Sequence, residues 1–570
     1  SPWLEVSRQS LWPFVEIQDY SLSVGFLVDR LNLLMITVVT TITFFVQLFS
    51  FYYMAKDESR SRYFGFLSFF SFAMTGLVLS TNLLQTFLFW ELVGLASYLL
   101  IGFWYQKPAA ATAARKAFVI NRLADLGFYL GILLLFMLFG TVDFLKLEQG
   151  ALTHALSAGT VTVLGLLIFT GVMGKSAQFP FHVWLPDAME GPTPVSALIH
   201  SATMVAAGVF LLARTFGLFA SSETTLLAIL ILGSLTAVTG AFLATVQRDI
   251  KRILAYSTVS QLGLMVMAIG AGSAAAGMFH LSTHAYFKSL LFLTAGAFIH
   301  RFHTNDIFEI GSAGGKKELL PLAALILGLA SLSGIFPFAG FFSKDLILEV
   351  LRERGLVFYV TAILVSFLTV YYSSRLLFVI LFSRTQHSHH EPHHETVLSK
   401  ISGSLPLVFL ALISVVVGLN GSSVFDFKML RWFGGHETHW NIEILGTTTA
   451  LIVGGIVAAF FKFRDPARAE MKLREARGFV HWILDRKLFI DDIYEFLVKK
   501  VGLRLAGLLD WFDRAFVNGV LVNRTSYFIL DIGRWLSKVQ SGVLQDYMTW
   551  TLTAGLAVLF WTLHLIGGKV

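Results

Sequence analysis

Apolar runs of about 20 residues follow one another almost from end to end of this chain, and one such run is what a single helical crossing of a bilayer needs. Only 14% of the 570 residues are Asp, Glu, Lys or Arg, against about 25% in an ordinary soluble domain. The 54 phenylalanines and 12 tryptophans suit lipid-facing and interfacial positions. The expected fold class is an all-α polytopic membrane protein.

Fourteen spans are predicted, at about 27–54, 63–80, 82–103, 114–139, 160–179, 193–216, 223–245, 249–269, 274–300, 318–340, 356–383, 404–420, 442–462 and 544–567. If the first runs from outside to inside, the inside connections hold thirteen Lys and Arg, among them Lys56, Arg115, Arg252 and Lys317. The outside ones, up to residue 441, hold six. The positive-inside rule selects that orientation. The net charge of +7 is therefore a topology signal in short loops, not a phosphate-binding face, and no nucleic-acid partner is expected.

Two spans carry helix breakers beside a lysine. Lys175 precedes Pro180, with Pro186, Pro192 and Pro194 beyond; Gly334, Pro337 and Gly340 precede Lys344. Discontinuous helices in corresponding positions of two halves point to inverted repeats around a mid-membrane ion site, although proline is also simply common in membrane helices. The predicted organisation is a first piece with one span (1–62), a five-helix repeat (63–216) and a second, inverted five-helix repeat (223–384). Two spans with a histidine-rich loop follow (385–462), then an amphipathic region (463–543) and a terminal span (544–570). In the amphipathic region Phe489, Ile493, Leu497, Val501, Leu505, Leu508, Phe512, Phe516 and Val520 recur at helical steps. A continuous helix over 489–540 would reach about 75 Å, too long for one crossing. It is expected to lie along the membrane surface, with Gly502, Gly507 and Gly519 weakening it and a pair of separate helices as the alternative.

Charge at mid-membrane depth costs at least about 2.5–3.5 kcal/mol per group, so what stays there needs a reason. Glu91 sits mid-span, Arg122 and Asp125 lie three apart on one helix face, and Lys175 and His200 occupy two more spans. His280, His284 and Lys288 form one stripe at steps of four, and Lys344 and Asp345 adjoin the second break. One such pair alone can be a structural ion pair holding helices in register. Acids, bases and imidazoles on at least five spans are better explained by proton transfer, because burial brings carboxylic acids and lysines toward the range where they exchange protons, and histidine already titrates there. No metal site is expected: His280 and His284 lack an HExxH glutamate and any cysteine partner. The run HSHHEPHHE at 387–395 reads as a solvated inside loop. With no cysteine there are no Cys-ligated clusters, thiol catalysis or disulfides, and no GxGxxG, P-loop or GxSxG is present. The chain starts at Ser1 without a signal-peptide pattern, which suggests a missing N-terminal portion.

At these residues a resemblance enters. WELVGLASYLLIGFWY, GKSAQFPFHVWLPDAMEGPTPVSALIHSATMVAAGVFLLAR, DIKRILAYSTVSQLG, FHLSTHAYFKSLLFL and AGFFSKD resemble the antiporter-like family of proton-pumping subunits, with the distal member of the respiratory complex I membrane arm as the nearest pattern. The likeness covers essentially the whole chain, except that such relatives carry two more N-terminal helices. The resemblance implies a subunit of a proton-translocating NADH:quinone oxidoreductase in a bacterial inner membrane. It implies no cofactor on this chain, with FMN, iron–sulfur clusters and quinone in partner subunits. It implies a lateral helix on the cytoplasmic side, contacting neighbouring antiporter-like subunits. It further implies that Glu91 and Lys175 form one functional pair and Arg122 and Asp125 a neighbouring switch pair. His200, His280, His284 and Lys288 would make the central axis, and Lys344 with Asp345 the exit. Alternatives of other classes are a large subunit of an Mrp-type Na⁺/H⁺ antiporter or membrane-bound hydrogenase, and a structural clamp of a membrane arm. The end of the chain after one span past the amphipathic region favours the complex I reading over the Mrp one.

Overall fold

A computed structural model describes residues 8–17, 20–148, 156–385, 397–419, 442–475 and 478–567, so the histidine-rich run 387–395 lies outside the described residues. The chain forms two compact units, Ser1–Leu488 and Phe489–Val570.

The first unit departs from the all-α expectation at its start. β1 (Arg8–Ile17) and β2 (Tyr20–Val28) form an antiparallel hairpin. The signal is a period of two: Leu22, Val24 and Phe26 alternate with Ser21, Ser23 and Gly25. The register slips between Pro13 and Val15, where proline has no N–H to give the ladder. Side chains of the next hairpin of helices hold β2 in place. Gln85 donates to Gly25 O at 2.9 Å and accepts from Gly25 N at 3.2 Å, and Asn82 donates to Ser23 O at 2.7 Å.

The helices of this unit include α1 (Arg30–Tyr53), α2 (Arg60–Val78), α3 (Leu83–Ile101), α4 (Pro108–Phe139), α5 (Ala158–Lys175), α6 (Thr193–Ser201) and α7 (Met204–Arg214). They continue with α8 (Glu223–Val246), α9 (Ile250–Gly270), α10 (Ala274–Phe302), α11 (Leu319–Ser333), α12 (Ala339–Arg354), α13 (Leu356–Phe382), α14 (Val397–Leu419) and α15 (Ile442–Phe463). Side chains that compete with a helix interior start several of them: Asp29, Asn82 and Asp249 accept backbone N–H groups at the first turns of α1, α3 and α9. Two helical hairpins, α3–α4 and α9–α10, are each pinned by a short antiparallel bridge, Asn82 with Asp143 and Asp249 with Asp306.

Among the described residues, eleven helices of the chain are long and apolar enough to cross a membrane, against fourteen expected. The other three apolar segments are also helices. α11 has 15 residues, and α2 and α10 are less apolar. The physical reason for α10 is its place. It is buried along nearly its whole length, as are the Thr193–Arg214 segment and α9, so protein rather than lipid surrounds its polar side chains.

Both anticipated breaks are present. α5 stops at Lys175 and the chain passes through short turns to α6, which breaks again at Ala202 and Thr203 before α7. α11 stops at Ser333, and α12 starts at Ala339. At the second break Gly340 packs directly on backbone: a Cβ there would lie 1.8 Å from the Ser331 carbonyl oxygen, so only glycine fits.

In the second unit, residues 490–539 form one unbroken helical run, α16. Its turns widen to π geometry at Leu497–Gly502 and Asp513–Arg524, stretches that contain two of the three glycines expected to weaken it. Its apolar stripe, Leu497 to Phe516, is exposed within this unit. α17 (Leu544–Gly567) follows, none of it buried.

Candidate functional site

Two groups of buried and half-buried polar side chains occupy the first unit. The first joins α3, α4 and the end of α5. Trp90 and Glu91 are successive on α3, with Gly94 one turn on; Arg122 and Asp125 share a face of α4; Lys175 is the last residue of α5. The Glu91 carboxylate pairs with the Arg122 guanidinium. Asp125 accepts Lys175 Nζ at 3.2 Å through one oxygen and the Trp90 indole N–H at 2.6 Å through the other. The two pairs differ in setting. Asp125 and Lys175 are 2% and 1% exposed, whereas Glu91 and Arg122 are 20% and 36% exposed. The Lys175 ammonium lies over the Trp90 ring, 5.6 Å from its centroid, and against Gly94, where a Cβ would come within 2.9 Å of Nζ and 3.9 Å of Arg122 Nη2. Four charges of alternating sign thus meet on one short stretch of α3.

The partners are exchanged relative to the expectation, which matched Glu91 with Lys175 and left Arg122 beside Asp125. Spacing along α4 places Arg122 and Asp125 on one face but says nothing about which helix each one meets.

The second group lies on and around α10. His280, His284 and Lys288 are each completely buried. Lys288 Nζ donates to Ser257 Oγ at 2.6 Å and to the Leu254 carbonyl at 3.2 Å, both on α9. His280 reaches Gln261 Oε1 at 3.1 Å and Ser343 Oγ at 2.8 Å. His200, at the end of α6, has both ring nitrogens buried without a hydrogen-bond partner among the described residues, its ring between Trp184 and Phe292. A hydroxyl pair, Ser201 with Ser289 at 2.7 Å, ties α6 to α10 beside it. Lys344 folds back across the second break and donates to Leu332 O at 2.5 Å, one of the free carbonyls that end α11. Asp345 accepts Thr448 Oγ1 of α15 at 3.1 Å.

The residues matched by known proteins are the ones that build these groups. A family model described as NADH:quinone oxidoreductase/Mrp antiporter, TM, matches residues 80–369, from the start of α3 into α13. The chain belongs to this antiporter-like family. Residues 12–64 match a second model, the N-terminus of chain 5 of NADH-ubiquinone oxidoreductase (complex I). Relatives of this antiporter-like chain include the chloroplast NAD(P)H-quinone oxidoreductase subunit 5 of Mesostigma viride, 38% identical over 98% of this chain and 88% of the relative. NADH-quinone oxidoreductase subunit L of Rickettsia felis is 38% identical over 94% and 87%, and that of Neisseria meningitidis 35% over 97% and 90%. Among solved structures, the Mrp complex of Dietzia sp. superposes with a TM-score of 0.71 at 25% identity. The antiporter-like chain is covered to 98% there but spans only 58% of that Mrp chain. An archaeal membrane-bound sulfane sulfur reductase shares the fold, with a TM-score of 0.64 at 23% identity.

Several uncharged residues that build or adjoin these two groups are not legible from charge alone: Trp90, Gly94, Ser257, Gln261, Ser343 and Tyr372, whose phenol donates to Ser257 Oγ at 2.9 Å. Five of them lie inside the motif blocks quoted above, which is the signal that could have found them. Arg375 also went unremarked. It is fully buried on α13 and donates to the Thr245 and Gln247 carbonyls at 2.6 and 2.5 Å, at the end of α8. Its charge serves free helix-end carbonyls rather than a carboxylate.

Proposed function

We propose that this chain is the distal antiporter-like subunit of the membrane arm of a proton-translocating NADH:quinone oxidoreductase, complex I, the counterpart of subunit L. It works as part of that enzyme complex, with FMN, iron–sulfur clusters and quinone in partner subunits and no redox centre of its own. Its membrane is the bacterial plasma membrane, crossed by fourteen spans that include two inverted five-helix repeats. α16 lies on the cytoplasmic face as a lateral helix, its apolar stripe covered by neighbouring antiporter-like subunits.

The observation that carries the reading is the four-charge cluster: Lys175 bonded to Asp125, with the Glu91–Arg122 pair one helical turn away across Gly94. Exchange of partners, Lys175 to Glu91 and Arg122 to Asp125, conserves both ion pairs, so a modest push from the coupling machinery can drive it. Two unit charges 4 Å apart at an effective dielectric of 20 interact by about 4 kcal/mol, enough to decide whether Lys175 keeps or releases its proton. A released proton passes by way of His200 to the α10 axis of His280, His284 and Lys288, and leaves beside Lys344 and Asp345.

Lys175→Ala and Glu91→Ala in the assembled complex are expected to cut proton pumping sharply. Wild-type pumping by an assembled Lys175→Ala enzyme ends the proposal. The runner-up, an Mrp-type Na⁺/H⁺ antiporter subunit, draws on the shared fold with the Dietzia complex; the higher identities to subunits named L and 5 favour complex I.

A further inference from the structure

The hydrogen bonds around α10 do not follow the His284 stripe. Both bonds of the Lys288 ammonium lead off its own helix onto α9, and among the described residues no carboxylate pairs with it. Ser257 Oγ, which takes one of them, also receives the Tyr372 phenol of α13 at 2.9 Å. The same phenol reaches Thr369 Oγ1 at 3.4 Å, and Thr369 meets Gln261 Nε2 at 3.5 Å. Gln261 Oε1 then contacts His280, whose other nitrogen faces Ser343, the residue before Lys344. Every side chain in this sequence of bonds is at most 1% exposed. His284 lies between Lys288 and His280 on the helix, yet neither of its ring nitrogens bonds another side chain.

We infer that protons leaving Lys288 cross to His280 sideways, through the hydroxyls of Ser257 and Tyr372, with the Tyr372 phenol as a proton-transfer group on α13 that lies outside the charged set. The inference rests on the pump reading above. In one concerted shift the proton lost by Lys288 Nζ is gained by Ser257 Oγ, which gives up its own hydrogen to the Tyr372 oxygen; the phenol's hydrogen passes to water beside Thr369, whose own hydroxyl hydrogen is held by the Val365 carbonyl at 2.8 Å. Each oxygen gains one proton as it loses another, and hydroxyl hydrogens rotate to suit. A carboxamide does not relay in this way. Gln261 is therefore a positioning residue that keeps Thr369 and His280 in line, and the hand-over past it belongs to water, with His280 taking the proton up and Ser343 bringing it beside Lys344.

The test uses the assembled membrane complex, reading protons pumped per NADH oxidised. Tyr372→Phe removes one oxygen and keeps the ring, and Ser257→Ala removes the other hydroxyl of the same route. Each is expected to lower the pumping ratio several-fold while the amount of complex and its NADH oxidation with an artificial acceptor hold. That ratio is measured only on complexes that turn over, so a loss of assembly does not move it. Tyr371→Phe, on the neighbouring position beside Lys462, keeps the wild-type ratio. If Tyr372→Phe does not assemble, Ser257→Ala decides. Wild-type ratios in both hydroxyl variants overturn the lateral route. Lys288→Ala separates the two readings: with its pumping lost, only the route has failed, and with its pumping intact the pump reading fails too.

Discussion

Trp90 donates its indole N–H to one oxygen of Asp125 at 2.6 Å, while the other oxygen of the same carboxylate accepts Lys175 at 3.2 Å. The acid is thereby held from two sides, and its Oδ2 is aimed at the lysine. A free carboxylate rotor here would turn as readily toward Arg122 as toward Lys175; the indole biases it toward Lys175 until the partners exchange.

Trp90→Phe keeps a ring over Lys175 and deletes the donor, leaving a buried carboxylate oxygen unsatisfied at a cost of about 1–3 kcal/mol. The expected result is a complex that assembles with a lower thermal midpoint and pumps more slowly. Proton pumping by reconstituted complex checks it; an unchanged rate would show that Asp125 needs no such positioning.

A second buried ion pair lies apart from the transfer path. Arg214, at the end of α7, grips Asp29 with bonds of 2.5 and 3.0 Å, the two side chains 1% and 0% exposed. It fastens the start of α1 to the first group of helices, with Phe144 and Phe210 flanking the guanidinium. Removing one partner strands the other charge, typically at about 3–5 kcal/mol, whereas replacing both with apolar residues is often close to neutral. Arg214→Met is therefore expected to lower the amount of assembled complex on native gels, and Asp29→Asn, which removes the stranded charge and keeps the cap on α1, combined with Arg214→Met to restore much of it. Pumping per assembled complex should hold in the double variant. Full assembly of the single variant counts against the pair as a fastening.

The spans were legible because hydrocarbon admits few alternatives: about 20 apolar residues have one stable use there. The hairpin at 8–28 was not, although Leu22, Val24 and Phe26 alternate with small polar residues, because a short period-two pattern is faint beside long apolar runs. Glu91, Asp125, Lys175 and Lys288 stood out in sequence through the cost of burying charge. Their partners did not. Whether Lys175 meets Asp125 or Glu91 depends on how α3, α4 and α5 are rotated about their axes, which spacing along any one helix leaves open. Ser257, Gln261 and Tyr372 were hidden for another reason: hydroxyls and amides are common in membrane helices, and only the bonds they make distinguish them.

Gly94 offers the sharpest control over the charge cluster. It sits one turn beyond Glu91, and an added Cβ would stand 2.9 Å from Lys175 Nζ. The atom that must give way is the far end of a flexible side chain, so the helix can accept alanine while the ammonium cannot stay where it is. Displacement from α3 lengthens or breaks the 3.2 Å contact with Asp125 and bars the way to Glu91 at once. Gly65→Ala, on α2 with nothing within 4 Å, makes the same backbone change in open space and gains up to about 1 kcal/mol of helix propensity. Gly94→Ala should therefore assemble as well as Gly65→Ala but pump several-fold more slowly. Equal pumping by the two alanine variants would mean that the position of the Lys175 ammonium against α3 does not matter for transfer.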